Sequence, residues 1–220
     1  MGVTAWQNLL YPEAGRPGRL LPLFSAGVIL GTAMAMRDIL RFPDSRLRQR
    51  SAEVGNVDDS VRQLVADMAE TMAAANGAGL AAIQVGEAVR LFIIDGGVAG
   101  GAEGAPPKVF INPEITEVSQ EAQTGDEGCL SFPGIYVPVK RGMRARVRAL
   151  DLDGNVFEME GEGLFARALQ HEADHLNGRL LIDQVGPVKR EIIKRKLRKD
   201  LEAEREEAAS ASGKPESAAS

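Results

Sequence analysis

The stretch ALQHEADHLNG, residues 168–178, holds both histidines of a 220-residue chain, His171 and His175, with Glu172 directly after the first. Residues at i and i+4 of an α-helix project from one face a turn apart, so two imidazoles placed this way converge on one ion. Glu172 is rotated away from that pair and lies beside the ion without having to bind it, free to take a proton from water. Two histidines scattered at random in a chain of this length fall four apart only about 1% of the time, which sets coincidence aside. The surrounding residues read as a helix from Gly163 to Asn177, with Leu164, Ala168, His171 and His175 along one side and Gly178 as its C-terminal stop.

A catalytic ion takes three protein ligands and keeps one position open. No third histidine exists, which leaves the single cysteine, Cys129 in Glu127-Gly128-Cys129-Leu130-Ser131, or a carboxylate such as Glu191. A thiolate is the stronger ligand for a borderline or soft divalent ion, and Cys129 lies in what reads as a turn-rich segment, where backbone approaches a site closely. One cysteine also excludes an internal disulfide framework and fits a reducing compartment. A further stretch, Gly77-Ala78-Gly79-Leu80-Ala81-Ala82-Ile83-Gln84, sets small residues before one long amide. Small residues let backbone come close to a ligand, and the amide donates to an oxygen that turns negative during reaction.

Working outward, the chain has the length of one domain and a composition, 44% hydrophobic and 26% charged, near the globular average. Its net charge of −5 argues against a protein that coats nucleic acid, and neither DNA nor a membrane is expected as a partner. Leu20 to Met36 is almost wholly apolar and follows two arginines, Arg16 and Arg19, so a signal peptide is weighed against a mis-assigned start at Met34 or Met36. Residues 1–35 are taken as an extension, disordered or arising from that start, 36–207 as one domain, and 208–220 as a disordered tail. Val61, Leu64, Val65, Met68 and Met72 recur at helical spacing, with Asp58 or Asp59 as cap and Asn76-Gly77 as stop. Val89 to Asp95 reads as a strand and Lys108 to Val118 as one or two further strands. Met143, Ala145, Val147 and Ala149 alternate with three arginines before the turn Asp153-Gly154 and a partner strand from Val156, a hairpin with one solvated, charged face. A strand-like Leu180-Leu181-Ile182 then leads into a mixed-charge helix from about Val188 to Glu207.

Gly77 to Gln84, Glu127 to Ser131 and Gln170 to His175 together, and in this order, resemble the motifs of the peptide deformylase family, and the similarity runs from about Met36 to Glu202. The resemblance implies an α+β fold, with antiparallel strands packed around a central His-Glu-x-x-His helix, an N-terminal helix and a C-terminal helix. It implies removal of the N-formyl group from formyl-methionine on nascent polypeptides, releasing formate. Cys129, His171 and His175 would be the metal ligands; the family most often uses Fe(II), with Zn(II), Ni(II) or Co(II) able to occupy the site. Glu172 would act as general base and then acid on the attacking water, with Gln84 and the Leu130 N–H on the oxyanion. Gly79, Leu130, Tyr136 and Leu169 would contact the substrate, although some members carry an arginine near position 136, where this chain has tyrosine.

The resemblance places the chain in the bacterial cytoplasm, or in an organelle if the source is eukaryotic. The basic C-terminal helix, with Lys189, Arg190, Lys194, Arg195, Lys196, Arg198 and Lys199, reads either as a solvated helix or as a dock on the ribosome near the peptide exit. The competing activity is a His-Glu-x-x-His zinc endopeptidase, with a carboxylate as third ligand and Cys129 structural.

Overall fold

The computed structural model describes residues 35–212, so most of the expected extension and the end of the expected tail, 1–34 and 213–220, lie outside the described residues. After a 3-10 turn at Ser45–Arg48 come helix α1 (Asp59–Ala74), strand β1 (Gly79–Ala81), a second 3-10 turn (Ala82–Val85), β2 (Leu91–Ile94) and β3 (Lys108–Val118). There follow β4 (Ala122–Cys129), β5 (Phe132–Gly142), β6 (Arg144–Leu150), β7 (Val156–Glu162), helix α2 (Gly163–Leu176), a 3-10 turn (Leu181–Gln184) and α3 (Pro187–Ser212). This is the α+β arrangement expected from the sequence. One antiparallel sheet has the order β1-β2-β3-β6-β7, and β4 and β5 form a separate antiparallel ribbon.

The sheet lies between α1 and α2, and β2 explains how. Alternate residues of a strand face opposite sides. Leu91 and Ile93 pack with Leu64, Val65, Met68 and Met72 of α1, while Phe92 and Ile94 pack with Ala166, Ala168, Leu169 and Leu176 of α2. All four β2 residues are fully buried, and each such side chain contributes roughly 1.5–3 kcal/mol over its exposed state. The arginines of β6 alternate outward as expected; Arg146 pairs with Glu160 on β7 at 2.9 Å, while Ala145, Val147 and Ala149 face the core.

Capping follows the sequence closely. Asp58 Oδ1 accepts from the Ser60 and Val61 amides, and the chain leaves α1 through Asn76 at φ 51°. Helix α2 ends at Gly178 with φ 68°, where a methyl group would also strike the Arg48 carbonyl, so both conformation and space demand glycine.

Three expectations are corrected. Cys129 does not sit in a loose turn-rich segment but ends β4, and neither β4 nor β5 is legible in the sequence. Leu180-Leu181-Ile182 is not a strand: it enters a 3-10 turn in which Asp183 Oδ2 accepts the Leu180 amide at 2.9 Å. The last helix runs to Ser212, past residue 207, with Ile193 and Leu197 turned onto the ribbon.

Ahead of the first turn, residues 35–42 lie across the domain. Ala35 N and Arg37 Nε donate to Asp67 on α1, Leu40 N donates to the Gln84 carbonyl at 2.7 Å, and Phe42 N donates to the Ser131 carbonyl at 2.9 Å. Burial raises the Asp67 carboxyl, but hydrogen bonds from Gln63, Ala35 and Arg37 outweigh it and hold the group below its ordinary 3.8. A depressed carboxyl stabilises the fold above its unfolded pKa and loses that contribution as pH falls through the folded value. Asp67→Asn is therefore expected to lower the melting temperature at pH 7, and the gap from the parent chain should narrow as the melts are repeated below about pH 3.8.

Candidate active site

Helix α2 presents His171 and His175 on its inner face, and β4 brings Cys129 against them. The Cys129 Sγ lies 3.2 Å from His175 Nε2, and one ligand atom from each of the three residues falls within 4.8 Å of the others. Donors bound to one tetrahedral ion at about 2.0–2.3 Å stand about 3.3–3.8 Å apart, so the cluster has the dimensions of a metal site. Two neighbouring buried atoms, Glu172 Oε2 and His175 Nδ1, have no hydrogen-bond partner among the described residues. One thiolate, two imidazoles and unmet polar atoms beside them fit a divalent ion of borderline softness. The other candidate ligand, Glu191, is exposed on α3 and paired with Lys194 at 2.8 Å, away from the cluster.

The state of each imidazole is set by its surroundings. His171 Nδ1 lies 2.9 Å from Glu127 Oε2, so that nitrogen carries the proton and Nε2 is left to ligate. Burial works against a charge on His171, but Cys129 and Glu127 outweigh it and raise its pKa well above the usual value, so an ion at Nε2 would take the place of a proton there. His175, facing no such carboxylate, is pushed well below it by burial and stays neutral.

Glu127 itself is 1% exposed. Its Oε1 accepts from Arg141 Nε at 2.9 Å and from Arg167 Nη1 at 3.0 Å; its Oε2 accepts from Arg141 Nη2 at 3.0 Å. Burial raises the carboxyl, but His171 and Arg141 more than reverse this and hold it far below the carboxylate range. Arg141 continues to Asp174 on α2 at 2.7 Å. Sequence reasoning quoted Glu127 inside its motif but gave it no role. The available signal was a carboxylate two residues before a candidate ligand cysteine, and a carboxylate has no obvious target until the fold supplies one.

Glu172 lies in the same cleft, which is lined by Gly79, Gln84, Cys129, Leu130, Ala168 and His171 among others. Burial lifts its carboxyl to about 7, the range of a proton carrier. Gly79 faces it so closely that a β-carbon there would stand 2.9 Å from Glu172 Cδ, so glycine at 79 gives the carboxylate its room. The Gln84 Oε1 accepts the Ala81 amide at 2.8 Å, which turns Nε2 toward the site, 3.2 Å from Ser131 Oγ and 3.6 Å from Cys129 Sγ. Leu130 follows Cys129 at the cleft.

Of the expected substrate contacts, Gly79 and Leu130 line the cleft, whereas Leu169 and Tyr136 are not among its lining residues. Leu169 is fully buried among Phe92, Phe110 and Val147 and is a core residue; its neighbour Ala168 lines the cleft instead. One residue apart on a helix is about 100° around the axis, which is why the two separate. Tyr136 is opposite Gly128 in the ribbon, its ring against the space a side chain at 128 would fill, one residue removed from Cys129.

Comparison with known proteins agrees with this geometry. The family model described as polypeptide deformylase matches residues 36–191. The chain belongs to the polypeptide deformylase family. It is 50% identical over 170 residues to the peptide deformylase of Cellvibrio japonicus, covering 77% of this chain and 98% of that one. Its structure is similar to the crystal structure of a peptide deformylase from Legionella pneumophila, with TM-score 0.71, 42% identity, and coverage of 82% and 100% of the two chains. It is likewise similar to the Ehrlichia chaffeensis deformylase in complex with actinonin, with TM-score 0.70, 41% identity, and coverage of 76% and 98%. As a member of this deformylase family the chain is a metal-dependent hydrolase.

Two outcomes are expected from this site. Gly79→Ala should displace the Glu172 carboxylate and cut turnover about 100-fold, as a displacement near 1 Å does, with an unchanged circular dichroism spectrum. Glu127→Gln should weaken divalent-ion affinity about 10 to 100-fold in a chelator competition, because His171 loses its charged anchor.

Proposed function

We propose that the chain hydrolyses the N-formyl group of formyl-methionine at the start of nascent polypeptides, releasing formate and a free amino terminus. The observation that carries this reading is the convergence of Cys129, His171, His175, Glu172 and Gln84 on one cleft in a member of this family. Cys129, His171 and His175 hold a divalent ion, Fe(II) in our reading, with Zn(II), Ni(II) or Co(II) able to replace it. When bound, the ion supplies Lewis acidity, making water easier to deprotonate and drawing charge from the formyl oxygen.

The remaining work falls to the chain's own residues. Glu172 removes a proton from the attacking water and returns it to the departing amide nitrogen. Gln84 Nε2 and the Leu130 N–H donate to the formyl oxygen as it becomes negative, and losing one such donor costs about 100 to 1,000-fold in rate. Because the Ala81 amide already holds the other end of the Gln84 amide, that donor needs no reorganisation when charge develops. The methionyl chain passes between Gly79 and Leu130, with Ala168 on the wall and Tyr136 at the edge. The endopeptidase alternative required Cys129 to be structural, and a sulfur 3.2 Å from a ligating histidine speaks against it.

The setting we propose is the bacterial cytoplasm. No helix among the described residues is long and apolar enough to cross a membrane. Docking near the ribosomal peptide exit is assigned to α3, where Lys189, Arg195, Arg198 and Lys199 are exposed opposite the buried Ile193 and Leu197.

The deciding measurement is anaerobic formate release from a formyl-Met tripeptide by the metal-loaded chain and by Glu172→Gln. Release should depend on metal and fall about 100 to 10,000-fold in the variant. Undiminished release by the variant, or none from a metal-replete parent, would overturn the proposal.

A further inference from the structure

Arg167 is the largest fully buried side chain of the domain. It precedes His171 by four residues, so it shares the inner stripe of α2 with both histidines. A guanidinium at 2% exposure is costly unless charge and hydrogen bonds surround it, and Arg167 is surrounded in a particular way. Its Nη1 lies 3.0 Å from Glu127 Oε1, 2.9 Å from the Val139 carbonyl and 3.3 Å from the Gly125 carbonyl. Gly125 and Val139 are direct partners across the β4–β5 ribbon. One nitrogen from α2 thus reaches both strands of the ribbon that carries Cys129, and also the carboxylate that orients His171.

That placement matters because apolar packing divides the site. Cys129 belongs to the core cluster of the ribbon and α3, with Phe132, Val137 and Leu181, whereas Ala168 and Leu169 of α2 belong to the cluster of the large sheet. Apolar contacts are non-directional and hold the relative placement of the two bodies less sharply than hydrogen bonds do. Directional polar links are made close to the ligands by Glu127, Arg141 and Arg167, and at the end of β5 by Gln170, which bonds both backbone groups of Gly142. Arg141 already grips Glu127 with two nitrogens, so neutralising that carboxylate does not by itself require a second cation. What Arg167 adds is its hold on the two ribbon carbonyls.

We propose that Arg167 is a positioning residue that sets the distance between the Cys129 thiolate and the histidine pair by tying the ribbon to α2. This rests on the reading of Cys129, His171 and His175 as the metal ligands. The residue touches neither ion nor substrate and acts through Glu127 and the backbone of β4 and β5.

The test is anaerobic titration of the full-length chain with Co(II), read by the thiolate-to-cobalt charge-transfer absorption and by competition with a chelator, alongside thermal melts. Arg167→Met removes every donor while keeping an unbranched chain in the buried space; Arg167→Lys keeps the charge but reaches fewer acceptors. The parent should bind with a thiolate band, Arg167→Met should bind about 10 to 100-fold more weakly with that band weakened or shifted, and Arg167→Lys should fall between. A lowered melting temperature with parental Co(II) affinity and band would reduce Arg167 to a structural role and overturn the proposal. Should Arg167→Met fail to fold, the lysine variant decides: reduced affinity with an altered band supports the proposal, and parental values overturn it. A parent that binds Co(II) without any thiolate band would instead overturn the ligand assignment on which the proposal rests.

Discussion

A carboxylate that is 1% exposed, Glu127, sits between two guanidiniums and an imidazole, and much of the domain is arranged to keep it ionised there. Each partner comes from a different position: Arg141 from the opposite strand of the ribbon, Arg167 and His171 from successive turns of α2. Removing one member of such a buried set leaves an uncompensated charge and typically costs about 3–5 kcal/mol, so the set resists sliding of the ribbon along the helix. The same carboxylate chooses the His171 tautomer. Structural charge compensation and preparation of the metal-binding nitrogen are therefore one interaction.

Around this centre the site is completed by chain segments that are distant in sequence. Gln84 follows the small residues of β1, Leu130 follows β4, and residues 40 and 42 bridge them by donating to the Gln84 and Ser131 carbonyls. The stacked rings of Phe42 and Phe132, 5.3 Å between centroids, close the same joint. Glycine at 79 serves space rather than conformation, since the Glu172 carboxylate lies where its β-carbon would be. The Gln84 amide and the segment at Leu130 are thereby held by backbone, and fixed donors stabilise developing charge at little reorganisation cost.

The legible parts of this protein were those governed by local rules. The α1 face, the Asp58 cap, the Gly178 stop and the β6–β7 hairpin each follow from spacing or turn chemistry within a dozen residues or so. Strand β4 was hidden by Gly125, Gly128 and four polar side chains that lack apolar alternation. Strand β5 carries Pro133 and Pro138, which argue against a strand inside a sheet. In a two-stranded ribbon both strands are edges, so a missing amide hydrogen is tolerated. Leu169 was expected, from the resemblance, to contact the substrate, and the helix turns it into the core, fully buried.

By itself the sequence determined that His171 and His175 share one helical face with Glu172 beside them, because a period of 3.6 residues leaves no other arrangement. It also narrowed the third ligand, since one cysteine and no further histidine remained. Only the tertiary structure decided that Cys129 reaches those imidazoles, that Glu127 is the carboxylate behind His171, and that Arg167 ties ribbon to helix. Those contacts join residues some 40 to 46 positions apart, and helical or strand periodicity carries no information over that span. Their partners are selected by the cost of burying charge, which appears only once the sheet, the ribbon and α2 have closed around it.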